Sequence, residues 1–330
     1  MDLDAFTAVH RRQWERLNSL ARKRRLTGHE ADELLELYQT TSAQLSLIRS
    51  VEAESALSAS LSAILANART RFTGARSNVI VDVARFFAIS LPAAFYRLRW
   101  LTVIVGVVFT VIGALFAAWA AGSPAVLAAL GSDARLQQLV NHDFVNYYSD
   151  NPAASFAGSV WTNNAWIAAQ CVALGITGVF VPYSLFMNAQ NVGMTAGVMF
   201  AYGRGDTFFS YILPHGLMEL TSVFIASAAG LRIFWAWVSP GPRSRLDSLA
   251  LEGRALVTTA VGLVFVLFIS GLVEAYVTPS PLPVWAKITI GALVLAAYWS
   301  YTLMLGRRAW LAGERGDLAA DDAGAAAPSG

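Results

Sequence analysis

The sequence predicts an all-α, polytopic membrane protein with six transmembrane helices, an N-terminal cytoplasmic helical region and an interfacial elbow helix. Three observations predict it. Hydrophobic residues make up 55% of the 330-residue chain and charged residues only 14%, with ten Trp, a composition foreign to a soluble domain. After Trp100, uncharged runs of roughly 20 residues recur, the length a hydrocarbon core of about 30 Å demands of a helix. Charge is also unevenly divided: residues 1–99 hold 14 Lys and Arg against 10 Asp and Glu, and the remainder holds 10 against 12. A basic segment ahead of a first span reads as cytoplasmic. No nucleic-acid-binding module accompanies that excess, so nucleic acid is not an expected partner.

Residues 1–78 read as a cytoplasmic helical region. Leu3, Phe6, Val9, Trp14, Leu17 and Leu20 recur at helical spacing, and the cations of Arg22-Lys23-Arg24-Arg25 favour a helix C-terminus there. Thr27-Gly28-His29-Glu30 has the form of a capping box, with Thr as N-cap and Glu at N3. A second helix follows, with Leu34, Leu37, Tyr38, Leu45 and Ile48 on one stripe, and a third covers Ser55 to Phe72. This bundle or hairpin is expected to pack near the membrane rather than to catalyse. Met1 to Arg25 is polar and of mixed charge, so no signal peptide is expected.

Residues 79–99 differ. Val79, Ile80, Val83, Phe86 and Phe87 form an apolar face with Asp82 and Arg85 opposite, and Pro92 precedes Phe95-Tyr96-Arg97-Leu98-Arg99-Trp100. That pattern predicts an amphipathic helix on the inner leaflet, broken at Pro92, and an elbow into the membrane.

The transmembrane domain, 100–306, contains candidate spans at 101–121, 161–182, 184–203, 211–238, 256–275 and 284–306. The second and third meet at Pro182-Tyr183, and residues 151–203 lack Asp, Glu, Lys and Arg altogether. With six crossings and the N-terminus inside, Arg243, Arg245, Arg254, Arg307 and Arg308 all fall inside, as the positive-inside rule asks. Omitting 184–203 alone would put the first three outside. Both termini are thus expected in the cytoplasm. Residues 122–160 form the long external loop, with Asp133, Asp143 and Asp150 against Arg135 and one or two short helices. Residues 307–330 are expected as a disordered tail, Ala-, Gly- and Asp-rich from Gly313. Cys171 is the lone cysteine, which excludes an internal disulfide.

Pro214-His215-Gly216-Leu217-Met218-Glu219-Leu220 opens the fourth span, with Pro214 expected in its first turn. On a helix, His215 and Glu219 share a face about 6 Å apart along the axis. A carboxylate inside a membrane segment demands a partner or a neutral form. Six spans place Glu274, at the outer end of the fifth, and Asn163 and Asn164, at the start of the second, at the same outer-leaflet depth. Arg204 in the turn after the third span is a candidate counter-ion, and Arg232 near the inner end of the fourth can snorkel. The expected cluster is His215, Glu219, Glu274, Asn163, Asn164 and Arg204. Three readings stay open: a structural pair locking helices, a pocket for a substrate or partner, or a metal site of His215, Glu219 and Glu274. Those ligand types suit zinc, but His-Glu-x-x-His is absent and no catalytic constellation assembles, so neither cofactor nor catalytic residues are expected. Gly193 with Gly197, and Ala226 with Gly230, offer small faces for helix crossing.

Asn163-Asn164, the Asn191-Val192-Gly193 region, Pro214-His215-Gly216 with Glu219-Leu220, Glu274-Ala275-Tyr276-Val277-Thr278-Pro279 and the Leu91-Pro92 elbow together resemble the stage II sporulation protein M (SpoIIM) family over most of residues 80–306. The resemblance implies an integral membrane protein of the cell envelope that works in a multi-protein complex. Its founding members act in spore engulfment, in a complex that localises peptidoglycan-degrading enzymes. The family occurs widely outside sporulating organisms, beside RDD-type membrane proteins, von Willebrand A-like proteins and MoxR-type AAA ATPases. The long N-terminal region departs from the short sporulation form. The expected function is a non-enzymatic scaffold or assembly protein of the plasma membrane. Its expected partners are lipids, other envelope proteins, a MoxR-type ATPase, an RDD-type protein and a second copy in a homodimer. The alternative is a transporter, permease-like subunit or intramembrane enzyme using His215, Glu219 and Glu274.

Overall fold

A computed structural model of the chain describes residues 3–23, 26–52, 56–72, 79–148 and 152–316. Arg24 and Arg25 of the basic run, Ser55 at the expected start of the third helix, Asp150 of the acidic loop and the tail beyond 316 lie outside the described residues. Every regular element among the described residues is helical. The chain divides into two compact units, residues 1–82 and 83–330.

The first unit holds α1 (Leu3–Arg22), α2 (Gly28–Val51) and α3 (Ala56–Phe72). Most of the apolar stripe read from sequence is its core: Trp14, Leu17, Leu20, Leu34, Leu45 and Ile48 are buried, joined by Leu61, Leu65 and Ala68 of α3, while Val9 is exposed. Burying three such stripes against each other is what stabilises short helices whose propensity alone is marginal. The Trp14 indole finds a buried acceptor, donating from Nε1 to Gln44 Oε1 at 2.7 Å. The capping box forms at the start of α2, with Thr27 and Glu30 each bonding the other's backbone N–H.

Next in chain order come α4 (Val79–Arg85) and α5 (Leu91–Gly122), then the short α6 (Pro124–Leu130), α7 (Asp133–Gln138) and α8 (Phe144–Asn146). They are followed by α9 (Ala153–Ala173), α10 (Phe180–Ala201), α11 (Gly205–Val238), α12 (Arg245–Leu272), α13 (Val284–Tyr301) and α14 (Arg307–Leu311). Four stretches, Ile80–Gly122, Gly205–Val238, Arg245–Val277 and Val284–Leu311, are helices long and apolar enough to cross a membrane. Helices α9 and α10, at 21 and 22 residues, have the length but are diluted by Asn163, Asn164, Gln170, Asn188, Gln190 and Asn191. The outward faces fit a lipid solvent. Val103, Ile104, Val107, Val111 and Leu115 on α5 are exposed, as are Val264, Phe265, Phe268 and Ile269 on α12, an apolar surface no soluble monomer sustains.

Helix α11 is the hub, packed against α5, α9, α10, α12 and α13. Ser222 and the consecutive residues Ile225, Ala226, Ser227, Ala228, Ala229 and Gly230 are all buried, so the helix is enclosed on every side there. Small residues set the closest approaches, as expected where backbones rather than long side chains make the contact. A Cβ at Gly193 of α10 would lie 2.4 Å from the Gly113 carbonyl of α5, and one at Gly197 would lie 2.5 Å from Ala120 Cβ.

Several local expectations are corrected. The helix does not break at Pro92. A π-turn over Phe86–Ser90 hands the Leu91 N–H to Phe86 O, and Pro92 then falls in the first turn of α5, where no donor is required. The second and third long helices do not meet at Pro182-Tyr183. The chain turns at Gly175–Thr177 and Gly178, whose φ of 71° is glycine's own region, and Pro182 lies in the first turn of α10. Pro214 is not in the first turn of its helix, because α11 begins nine residues earlier at Gly205. The tail is not disordered from 307. Helix continues through a π-turn at Thr302–Gly306 into α14, where Ala309 is buried and Trp310 meets Tyr96 at 6.2 Å between ring centroids.

Candidate functional site

Three elements converge on the site. Helix α11 carries His215 and Glu219 on one face, a turn apart. Glu274 sits in a π-turn, Val273–Val277, that follows α12 and closes with the Thr278 N–H on Val273 O at 3.1 Å. The extra residue in such a turn rotates the side chains beyond it, which is how π-turns aim functional groups. Helix α9 supplies Asn163 and Asn164.

The geometry is tight. His215 Nε2 lies 3.9 Å from Glu274 Oε1, and its Nδ1 lies 3.1 Å from Thr278 Oγ1. The ligand atoms of His215, Glu219 and Glu274 all fall within 4.8 Å of one another. Glu274 and Asn164 are the side chains that interact with the Glu219 carboxyl. His215 is 5% exposed, Glu274 4% and Asn164 8%. Glu219 is half-buried, and its accessible part faces a cleft of about 310 Å³ lined by Tyr147, Phe156, Asn163, Asn164, Glu219 and Glu274. Glu219 Oε2 and Glu274 Oε2 are buried and have no hydrogen-bond partner. Such orphaned acceptors are uncommon in folded chains.

Around these groups the helices are bolted together. Ser270 Oγ of α12 donates to the His215 carbonyl at 3.1 Å, tying α12 to α11 at the level of the site. Tyr148 stands over the His215 ring at 5.8 Å between centroids, and Tyr147 packs edge-on to Phe156 at 5.3 Å.

Of the residues singled out by sequence, His215, Glu219, Glu274, Asn163 and Asn164 are brought to one place. Arg204 is not. Its Nη2 donates to Asn141 Oδ1 at 2.6 Å and the side chain is exposed, because α11 begins at Gly205 and leaves Arg204 at the helix N-terminus, about four turns from Glu219. The cation that sequence reasoning missed is Lys287 of α13, 8% exposed, whose Nζ donates to the Thr278 carbonyl at 2.7 Å. A lone Lys in an otherwise apolar span was the signal for it. Thr278, fully buried, was legible only as part of the Glu-Ala-x-x-Thr-Pro run.

A second ionic cluster stands apart. Glu252 of α12 accepts from Arg97 of α5 and, at 3.0 Å, from Arg232 Nε. Arg232 is therefore paired as well as within reach of water.

A helical bundle with apolar outer faces and ionisable groups gathered inside it defines an integral membrane protein with a polar site among its helices. Residues 104–279 match the stage II sporulation protein M (SpoIIM) family, more than half of the chain, and the protein belongs to that family of integral membrane proteins. The matched span contains Asn163, Asn164, His215, Glu219, Glu274 and Thr278, and is narrower than the 80–306 suggested by sequence motifs. The family is not known as enzymatic. Residues 4–74, covering α1 to α3, match a domain of unknown function (DUF8413). Comparison with curated proteins and with solved structures finds no match.

Proposed function

We propose that the protein is an integral scaffold subunit of a multi-protein assembly in the plasma membrane, crossing the bilayer six times with both termini in the cytoplasm. On this reading the helical unit of residues 1–82 engages a cytoplasmic partner, with an ATPase module the kind the family resemblance implies, while α6 to α8 face outside. The observation that carries it is the pairing of a separately cored N-terminal unit with a membrane unit. The α9–α10 turn supports six crossings. A Cβ at Gly178 would lie 2.4 Å from the Phe234 ring, which places this turn at the end of the bundle where α11 finishes and Arg243 follows.

Topology is tested with single cysteines, since Cys171 is fully buried. In intact cells an impermeant maleimide labels Gln137→Cys and leaves Val179→Cys untouched until the membrane is permeabilised. Labelling of Val179→Cys from outside would leave four crossings. The scaffold role is tested by purification from native expression in mild detergent. The chain should travel with partner proteins and lose them when residues 1–78 are deleted; recovery of the intact chain alone would refute the role.

A further inference from the structure

The cleft between α9, α11 and the end of α12 gathers Lewis bases without a cation. Among the described residues, none of the side chains lining it is basic. Lys287 is directed instead at the Thr278 carbonyl.

Thr278 favours one tautomer of His215. Its Oγ1 has the Val273 carbonyl at 3.5 Å as an acceptor for its own proton, and so accepts Nδ1–H from His215 at 3.1 Å. That arrangement leaves the Nε2 lone pair facing Glu274 Oε1 at 3.9 Å. Nε2 and the two carboxyl groups, which share a hydrogen bond with each other, then face one another across less than 5 Å, and one oxygen of each carboxyl has no partner. Packed acceptors of this kind repel unless protons or a cation lie between them. A hydrogen bond on the far ring nitrogen is what metal-binding histidines use to fix tautomer and aim.

We propose that His215 Nε2 and the carboxylates of Glu219 and Glu274 bind one divalent transition-metal ion, with a further position open to the cleft. Charge balances, since two carboxylates and a neutral imidazole neutralise a dication in surroundings that do not tolerate net charge. The donor set selects the metal. Imidazole with carboxylates suits zinc and its neighbours, whereas calcium and magnesium prefer all-oxygen shells. Bonds of about 2.0–2.2 Å to zinc bring ligand atoms to roughly 3.4 Å apart, closer than the 3.9 Å of the His215–Glu274 pair. The fourth position faces Asn163 and Asn164, which are placed to hold a water or a small polar ligand on the ion. The ion joins α11 to the end of α12, and this inference stands whether or not the scaffold role does.

The test uses the full chain, purified through a tag free of histidines and without chelators, in detergent or nanodiscs. Elemental analysis should find about one zinc-like ion per chain, falling roughly 10-fold or more in His215→Ala and Glu274→Gln and unchanged in Arg204→Ala. Stripping with EDTA should lower the Tm of the wild type and added zinc should restore it, while Glu274→Gln responds to neither. Should the variants fail to fold, stripping and restoration of the wild type decide alone. Wild-type protein that holds no metal and whose Tm ignores zinc overturns the proposal. So does a metal content equal in wild type and in a folded Glu219→Gln/Glu274→Gln double variant.

Discussion

Lys287 Nζ donates to the carbonyl of Thr278 at 2.7 Å, with the lysine only 8% exposed. The carbonyl belongs to the last turn before Pro279, where helical acceptors run out of donors. A cation at that position both satisfies the carbonyl and complements the negative end of the helix. It also holds Thr278, whose hydroxyl positions His215. Lys287→Met keeps the bulk and removes the donor, so it should lower stability by about 1–3 kcal/mol. Thermal unfolding in nanodiscs reads this directly; an unchanged Tm would show that water replaces the ammonium group.

Helix α13 reaches α11 through a glycine. A Cβ at Gly291 would stand 2.2 Å from the Pro214 carbonyl oxygen, a backbone atom that cannot step aside. Gly291→Ala should therefore force the helices apart and destabilise by about 1–3 kcal/mol or more. Gly158→Ala on α9, with nothing within 4 Å of its Cβ, should be neutral or stabilise by about 0.4–1 kcal/mol. The two alanines, measured side by side for Tm, separate close packing from a general effect of glycine replacement.

Glu252 holds two arginines of very different standing. The Arg97 side chain is 6% exposed and Arg232 is 39% exposed. Glu252→Leu deprives a buried guanidinium of its carboxylate and should cost about 3–5 kcal/mol. Arg232→Ala breaks the wetter contact and should cost about 1 kcal/mol or less. Chemical denaturation of wild type and the two variants in one detergent orders them; equal losses would mean that the difference in exposure carries no difference in energy.

The long helices were legible because bilayer thickness prescribes their length and composition, and the core of residues 1–82 because Trp14, Leu17, Leu20 and Leu34 repeat at helical spacing. The meeting of His215, Glu219, Glu274 and Asn164 was legible for an energetic reason, since polar groups in apolar segments have few places to go. What stayed hidden were features that depend on exact register. Pro92, Pro182 and Pro214 each sit inside helical structure, because a π-turn or a first turn absorbs the missing donor and because α11 starts earlier than its apolar run. Arg204 chose Asn141, a neighbour no pattern announces. Lys287 was overlooked because one charge at a span's start reads as an interface anchor until its carbonyl partner is seen.

The capping box of α2 carries a pH signature. Lys23 Nζ donates to Glu30 Oε1 at 2.6 Å, the Thr27 N–H donates to Oε2 at 3.0 Å, and the Glu30 N–H donates to Thr27 Oγ1 at 3.3 Å. The lysine hydrogen bond first, then the Thr27 N–H, hold the Glu30 carboxyl down at about 2, from an ordinary 4.5. A depressed carboxyl contributes stability that is fully present above the unfolded value and is lost as pH falls through the folded one. Protection of the α2 N-terminus should therefore weaken progressively between pH 4.5 and about 2. Hydrogen exchange of residues 28–34 in the full chain, corrected for intrinsic rates, measures it. In Glu30→Gln that acid-dependent loss should disappear, because an amide does not titrate. Thr27→Ala should lower protection at every pH by about 1 kcal/mol, since it removes the acceptor for the Glu30 N–H. An acid profile in Glu30→Gln identical to the wild type would move the pH sensitivity to another carboxylate, with Glu33, which is likewise held low by its hydrogen bond from Arg16, the next to replace.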